Sequence, residues 1–374
     1  MDEQGQNGLI PTYREGWRAR SSIAVAIAAL LIAFYVVLYW EPHAKSVLGV
    51  APFTEIAEAL GLRNRWYLYG FLYSVTMTGG AIYYLRRHGN SRYNRVRIAV
   101  NVGVQVILAF LLPFVMPLFG APEFYFSYFW PLQYSYFFPQ TLAQLPLYLA
   151  LYTVVGSLVL APILAVVLGK RWYCSWVCGC GGLANTFGDP WRHLTSKSTR
   201  SWRFEQVAVH SVLGIVVVLT FLLGLDALIG ADHPRFSHIV AGPQAWSLKS
   251  LYGFVVGAVL AGVVGVGFYP LFGPRVWCRN FCPMAAVMGI MQKLGRFRIR
   301  VKPDMCISCG NCSTYCEMGI DVRSYAQANQ SFTRASCVGC GMCAHMCPRG
   351  VLKLETSWRH AEDKRRQRLS VIDF

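Results

Sequence analysis

Six stretches of this chain are long and apolar enough to cross a lipid bilayer, and no other feature limits its folding as much. In hydrocarbon every backbone N–H and C=O must be paired within its own segment, which leaves helices of about 20 residues. The stretches cover residues 22–40, 66–85, 96–119, 146–169, 206–229 and 248–272. Pro113 and Pro117 in the third and Pro162 in the fourth would kink a helix without ending a span. Only 14% of the residues are charged, against roughly 25% in soluble proteins. The expected fold is a polytopic α-helical membrane protein of about six spans. At 19 residues, and followed by Glu41-Pro42-His43, the first stretch reads as an uncleaved anchor rather than a signal peptide.

The net charge of +17 is a matter of topology. Placing the N-terminus inside puts 30 of the 35 Lys and Arg on the inner side, counting Arg97 at the head of the third span, and 16 of them follow the sixth span. That is the positive-inside pattern, N-in and C-in, and it removes the case for nucleic-acid binding. Two segments then lie outside. Residues 123–140, EFYFSYFWPLQYSYFFPQ, have no Lys or Arg and read either as an interfacial or re-entrant aromatic piece or as a platform for a quinone ring or a docking partner. Residues 230–247 carry His233 and His238, which with His43 are the only outer candidates for holding a metal.

All 13 cysteines lie at or beyond Cys174. From Cys306 the chain reads CISCGNCSTYC, and from Cys337 CVGCGMCAHMCP. Each is C-x2-C-x2-C-x3-C, the run that gives three thiolates to one 4Fe-4S cluster and the fourth to its neighbour. Cys306, Cys309, Cys312 and Cys347 are expected to hold one cluster, and Cys337, Cys340, Cys343 and Cys316 the other, in a C-terminal α+β ferredoxin-like domain. Zinc would want a tetrahedral set, which this unbroken run serves poorly. The first copy has Glu317 where a proline usually follows the last cysteine.

Five cysteines remain. R-x-x-C-x3-C occurs at Arg171 to Cys178 and again at Arg275 to Cys282, each time just after a span. The repetition implies two similar half-units facing each other. Cys174, Cys178, Cys278 and Cys282 could then offer four thiolates to a third metal or iron–sulfur centre or form a thiol couple, with Cys180 as an extra ligand.

These motifs resemble the NosR/NapH/CcoG group of membrane polyferredoxins, over about residues 146–355, and the layout is most similar to the membrane half of NosR. Cys278, Cys282 and Pro283 match that group's Cys-x3-Cys-Pro motif; after Cys178 stands Gly179 in place of the proline. The resemblance implies a multi-pass protein of the bacterial inner (cytoplasmic) membrane with its ferredoxin domain in the cytoplasm. It implies electron transfer between a cytoplasmic donor or the quinone pool and a partner such as a flavoprotein, cytochrome or reductase subunit. The alternative is an accessory metal reductase or cofactor-maturation protein. Neither a large N-terminal flavin-carrying domain nor a further domain after the ferredoxin is expected. TMTGGA at 76–81 is faintly like a covalent flavin site, but it lies within a span. No Ser-His-Asp set, phosphate loop or dinucleotide fingerprint marks a stand-alone enzyme. The expected organisation is an N-terminal segment 1–21, spans and aromatic loop 22–145, repeated half-units 146–300, ferredoxin domain 301–355 and basic tail 356–374.

Overall fold

Because lipid-facing backbone must pair with itself, the apolar stretches wind into long helices. The computed structural model describes residues 22–230, 232–242 and 246–357, and the backbone of 371–373; the N-terminal segment 1–21 and most of the basic tail lie outside the described residues. The long helices are α1 (Ser22–Leu48), α2 (Arg65–His88), α3 (Arg92–Phe119), α4 (Leu147–Leu168), α5 (Thr199–Ile229) and α6 (Leu248–Gly267). Five of them are both long and apolar enough to cross a membrane. The exception is α2, which is long enough at 24 residues but carries polar groups from Tyr67 to Tyr84 along its length. Wide π turns interrupt α3 at Val104–Leu111, α4 at Gly156–Leu160 and α6 at Gly253–Val264. Past the first of these, α3 continues through Pro113 as an α-helical turn and ends in a 3-10 turn at Met116–Phe119.

The duplication seen in the sequence is also one of backbone. After α4 and after α6 the chain turns at a glycine with positive φ, Gly169 (62°) and Gly273 (90°). A one-turn helix follows, Trp172–Trp176 or Val276–Asn280. Cys178 or Cys282 then takes an extended conformation as the cap of the next helix, Gly179–Asn185 in the first half-unit and α7 (Pro283–Lys293) in the second.

The four-stranded sheet runs β3-β1-β2-β4, with β1 (Phe297–Val301), β2 (Phe332–Arg334), β3 (Leu352–Thr356) and β4 (Val371–Asp373). Strand β1 is antiparallel to β2 and to β3, from Phe297 opposite Thr356 to Val301 opposite Leu352, while β2 and β4 are parallel. The sheet thus begins at Phe297, directly after α7. Its Phe297, Ile299 and Val301 share one continuous core with Ala161 and Ala165 of α4, Val212 and Val216 of α5, and Met284 and Met288 of α7. A side chain on Gly169 would meet Phe297, its Cβ landing 2.2 Å from the Phe297 Cβ. The ferredoxin module is therefore pressed into the membrane part and does not hang from a linker.

The aromatic segment 123–140 is turned inward. Phe124, Phe129, Tyr136 and Phe138 are buried. Trp130 donates its indole N–H to Thr220 of α5, and Tyr152 and Tyr173 donate to the carbonyls of Phe126 and Ser127. The rings of the segment are thus engaged with the helices around it. Of the two glycines of 76–81, Gly80 has a packing role: a Cβ there would lie 2.6 Å from the backbone nitrogen of Phe187, whereas one at Gly79 would meet nothing within 4 Å.

Candidate redox centres

In each ferredoxin half a glycine in left-handed conformation, Gly310 (φ 79°) or Gly341 (φ 77°), turns the cysteine loop into a one-turn helix. That turn points successive thiols at one point, which a side chain with a Cβ would resist. Cys306, Cys309, Cys312 and Cys347 line one cavity, together with Arg323 and Arg349. Cys316, Cys337, Cys340 and Cys343 line a second. Each set combines three cysteines of one run with the fourth of the other, the partition expected for crossed ligation. The N–H four residues on points back at the fourth sulfur in both halves, Ile320 to Cys316 and Val351 to Cys347, each at 3.4 Å. Among the described residues no group of three or more Cys, His, Asp or Glu is arranged to hold a single metal ion. A cubane asks for something else, since each thiolate binds a different iron, and the two four-thiol cavities suit it in donor type and number.

The cavities differ in setting. Cys309 is exposed, beside Ile307 at 57% exposure, so the first lies at the surface. The second faces the membrane half: Tyr93 of α3 donates to the Gly339 carbonyl at 2.6 Å, Lys170 donates to the Tyr93 hydroxyl at 2.8 Å, and the Arg171 N–H donates to the Cys337 carbonyl at 3.3 Å. Burial pushes the Cys337 thiol up to about 12. Burial likewise pulls Lys170 down to about 8.

Next to this inner cavity the two half-units meet. Cys174, Cys178, Cys278 and Cys282 are all buried in the same core. Arg171 of the first half donates to the Cys278 carbonyl at 3.2 Å, and Arg275 of the second donates to the Cys174 carbonyl at 3.4 Å. Exchange of equivalent bonds across the junction is what a pseudo-twofold arrangement requires. Both arginines also reach the ferredoxin module, Arg171 to the Ala335 carbonyl at 2.6 Å and Arg275 to the Glu317 carboxylate at 2.8 Å. The arginine of R-x-x-C thus ties each half-unit both to its twin and to the cluster-binding domain. Burial raises the Cys174 and Cys278 thiols. Cys178 moves the other way, to about 7: the Cys180 S–H turned toward it has the largest effect, and N–H groups of Gly181 and Cys180 add to it against burial.

Sequence reasoning found the cysteines but not the ionic network behind them. Glu317, fully buried, pairs with Arg275 and, at 2.9 Å, with Arg192; Arg192 bonds Asp189 at 3.0 Å, and Asp189 lies 3.4 Å from His88 of α2. Burial alone would raise the Glu317 carboxyl, but Arg192, Arg275 and Arg97 outweigh it and hold it below the usual carboxylate range. No spacing marks these residues in the chain; the one signal was the acid in a position where proline is usual.

Behind Cys180 lies a cavity of about 300 Å³ lined by Tyr35, Tyr69, Tyr73, Tyr128 and Gln105. An apolar cavity of about 680 Å³, with Leu30, Phe34, Phe53 and Leu72, shares Tyr35, Tyr69 and Tyr73 with it. His233 and His238 are both exposed near the short helix Pro234–Val240, and no third ligand joins them among the described residues.

Comparison with known proteins fits this geometry. The family model described as a 4Fe-4S binding domain matches twice, over residues 151–197 and 255–302, one match per half-unit. A 4Fe-4S dicluster domain matches 305–352. The fold and these matches define an iron–sulfur protein of the electron-transfer class with helices of membrane-spanning length. Among named relatives, the chain is similar to the putative electron transport protein YccM of Escherichia coli, 28% identical over 46% of this chain and 48% of the relative. It is also similar to the methylamine utilization ferredoxin-type protein MauN of Methylobacillus flagellatus, 27% over 45% of this chain and 55% of the relative. Protein NirI of Paracoccus denitrificans is 27% identical over 40% of this chain and 22% of its own length. The match thus spans about half of the first two relatives. No solved structure matches the chain significantly.

Proposed function

We propose that this protein conducts electrons between a donor at the cytoplasmic face, or the quinone pool, and a second redox subunit such as a flavoprotein, a cytochrome or a reductase. The observation that carries the reading is the reciprocal bonding of Arg171 and Arg275, which gathers four cysteines of the two half-units beside the inner ferredoxin cavity. In this reading Cys306, Cys309, Cys312 and Cys347 hold an outer 4Fe-4S cluster, Cys316, Cys337, Cys340 and Cys343 an inner one, and Cys174, Cys178, Cys278 and Cys282 a third centre, with Cys180 at its edge. Bound clusters supply one-electron chemistry, and the protein supplies spacing, burial and hydrogen bonds to sulfur. Cys309 offers an exposed contact for a soluble partner. The tyrosine-lined cavity behind Cys180 and the apolar one that shares Tyr35, Tyr69 and Tyr73 with it are the place for a quinone ring and its tail in this reading. The orientation follows the positive charge: six crossings, both termini inside, in the cytoplasmic membrane of a bacterium. Relatives named for electron transport and as ferredoxin-type proteins support the same chemistry. Among the described residues no metal-holding group of three ligands includes His43, His233 or His238.

Anaerobic iron and acid-labile sulfide analysis with EPR tests the proposal. About twelve irons per chain are expected, falling to about eight in Cys282→Ala with both ferredoxin signals intact. Stoichiometric zinc with little iron would sink it.

A further inference from the structure

The two repeat arginines are equivalent in sequence and differ in what they face. Among the described residues the Arg171 side chain donates its hydrogen bonds to the carbonyl oxygens of Ala335 and Cys278. Arg275 spans charged and thiol groups: one nitrogen lies 2.8 Å from the Glu317 carboxylate and 3.0 Å from Asn185 Oδ1, and the other 3.7 Å from Cys278 Sγ. Arg275 and Glu317 are both fully buried. Glu317 directly follows Cys316 in the chain, so one carboxylate stands between the inner ferredoxin cavity and the cysteines of the half-units.

We propose that Glu317 sets the reduction potential of the centre held by Cys174, Cys178, Cys278 and Cys282, acting through Arg275 as a positioning residue and keeping that potential in step with the inner ferredoxin cluster. The inference rests on the reading that those four cysteines hold a redox centre. Adding one electron adds one negative charge to a thiolate-bound centre. A guanidinium at the Cys278 sulfur stabilises that added charge, and water is too far away to screen the interaction well. Glu317, which Arg192 also engages at 2.9 Å, offsets part of the Arg275 charge and also fixes where the guanidinium points. The same carboxylate, next to Cys316, disfavours reduction of the inner cluster. A single buried charge therefore lowers both potentials together.

EPR-monitored redox titration of the full-length protein in detergent or nanodiscs tests this. Glu317→Gln keeps the shape and removes the charge; both the half-unit centre and the inner cluster should shift to more positive potential, with the outer cluster unmoved. Arg275→Gln should shift the half-unit centre to more negative potential, and Arg275→Lys should restore part of the loss. Opposite signs from two neighbouring substitutions cannot come from general loosening of the fold. If Glu317→Gln fails to accumulate, the Arg275 pair decides by sign. Unmoved potentials in Glu317→Gln, or shifts of one sign in both variants, would overturn the role of Glu317. Wild-type protein with about eight irons and no third redox signal would instead overturn the underlying reading, before any variant is compared.

Discussion

At the scale of single residues, the site is governed by charges taken out of water. Arg192 and Arg275 are essentially unexposed, and both depend on Glu317. Breaking a buried pair by deleting one partner costs about 3–5 kcal/mol, because a charge is left without compensation. Glu317→Ala is therefore expected to destabilise the protein by an amount of that order, and thermal unfolding followed by tryptophan fluorescence will measure it. Asp189 makes a second prediction. Burial raises its carboxyl, yet hydrogen bonding and charge from His88 and Arg192 prevail and hold it below the ordinary carboxylate range. A carboxyl depressed in the folded state contributes stability that is complete above its unfolded value and is lost as pH falls through the lowered one. Unfolding midpoints measured from pH 7 down to acid should thus converge for wild type and Asp189→Asn, with the gap between them widest at neutral pH. A constant gap across the range would rule out this linkage.

Among elements, the half-unit is defined by a turn. Gly169 and Gly273 each take positive φ two residues before the repeat arginine, and each lies against a neighbour that a side chain would strike: Phe297 Cβ at 2.2 Å and Thr195 Oγ1 at 2.3 Å. The shared unit is thus longer than the cysteine spacing and includes the glycine that swings the chain from a span toward the cysteines. Gly169→Ala should cost about 1–3 kcal/mol from strain and overpacking. Because the clash is with β1, the loss should appear as faster hydrogen exchange in β1 and β3, with α1 and α2 unaffected. The clamp on the inner cysteine loop is milder: Tyr93→Phe removes the hydrogen bond to the Gly339 carbonyl and the one its hydroxyl accepts from Lys170, each worth about 0.5–1.5 kcal/mol.

Over the whole molecule the three cysteine groups differ in depth, from surface to interior. Cys309 is exposed, the loop of Cys337 to Cys343 is covered by α3 and the Lys170 turn, and the half-unit cysteines are buried. A dysprosium chelate confined to water should accordingly broaden the EPR signal of the outer cluster and leave the other centres sharp. If the signal lost in Cys316→Ala proves the most strongly broadened in wild type, this order is wrong.

The sequence by itself determined what depends on local spacing. The cysteine runs fix which thiols share a loop, because three positions on a tight glycine turn can reach only one point. The apolar stretches fix helices, because lipid offers the backbone no other partner. The R-x-x-C-x3-C duplication announced two related half-units through the repeat alone. Tertiary structure decided the rest, where the partner lies far along the chain. The 42-residue separation of Arg275 and Glu317 carries no periodicity that could pair them, and a buried ion pair forms only when packing removes the water from both. The aromatic segment could have faced either way by composition; Gly156 admits Phe129, whose ring would lie 2.4 Å from any Cβ there, and so turns it inward. The boundary expected at residue 301 falls inside β1, because the ferredoxin sheet shares its core with α4, α5 and α7. Hydrophobic burial of that kind depends on which surfaces meet, and a single sequence read in one dimension does not contain that choice.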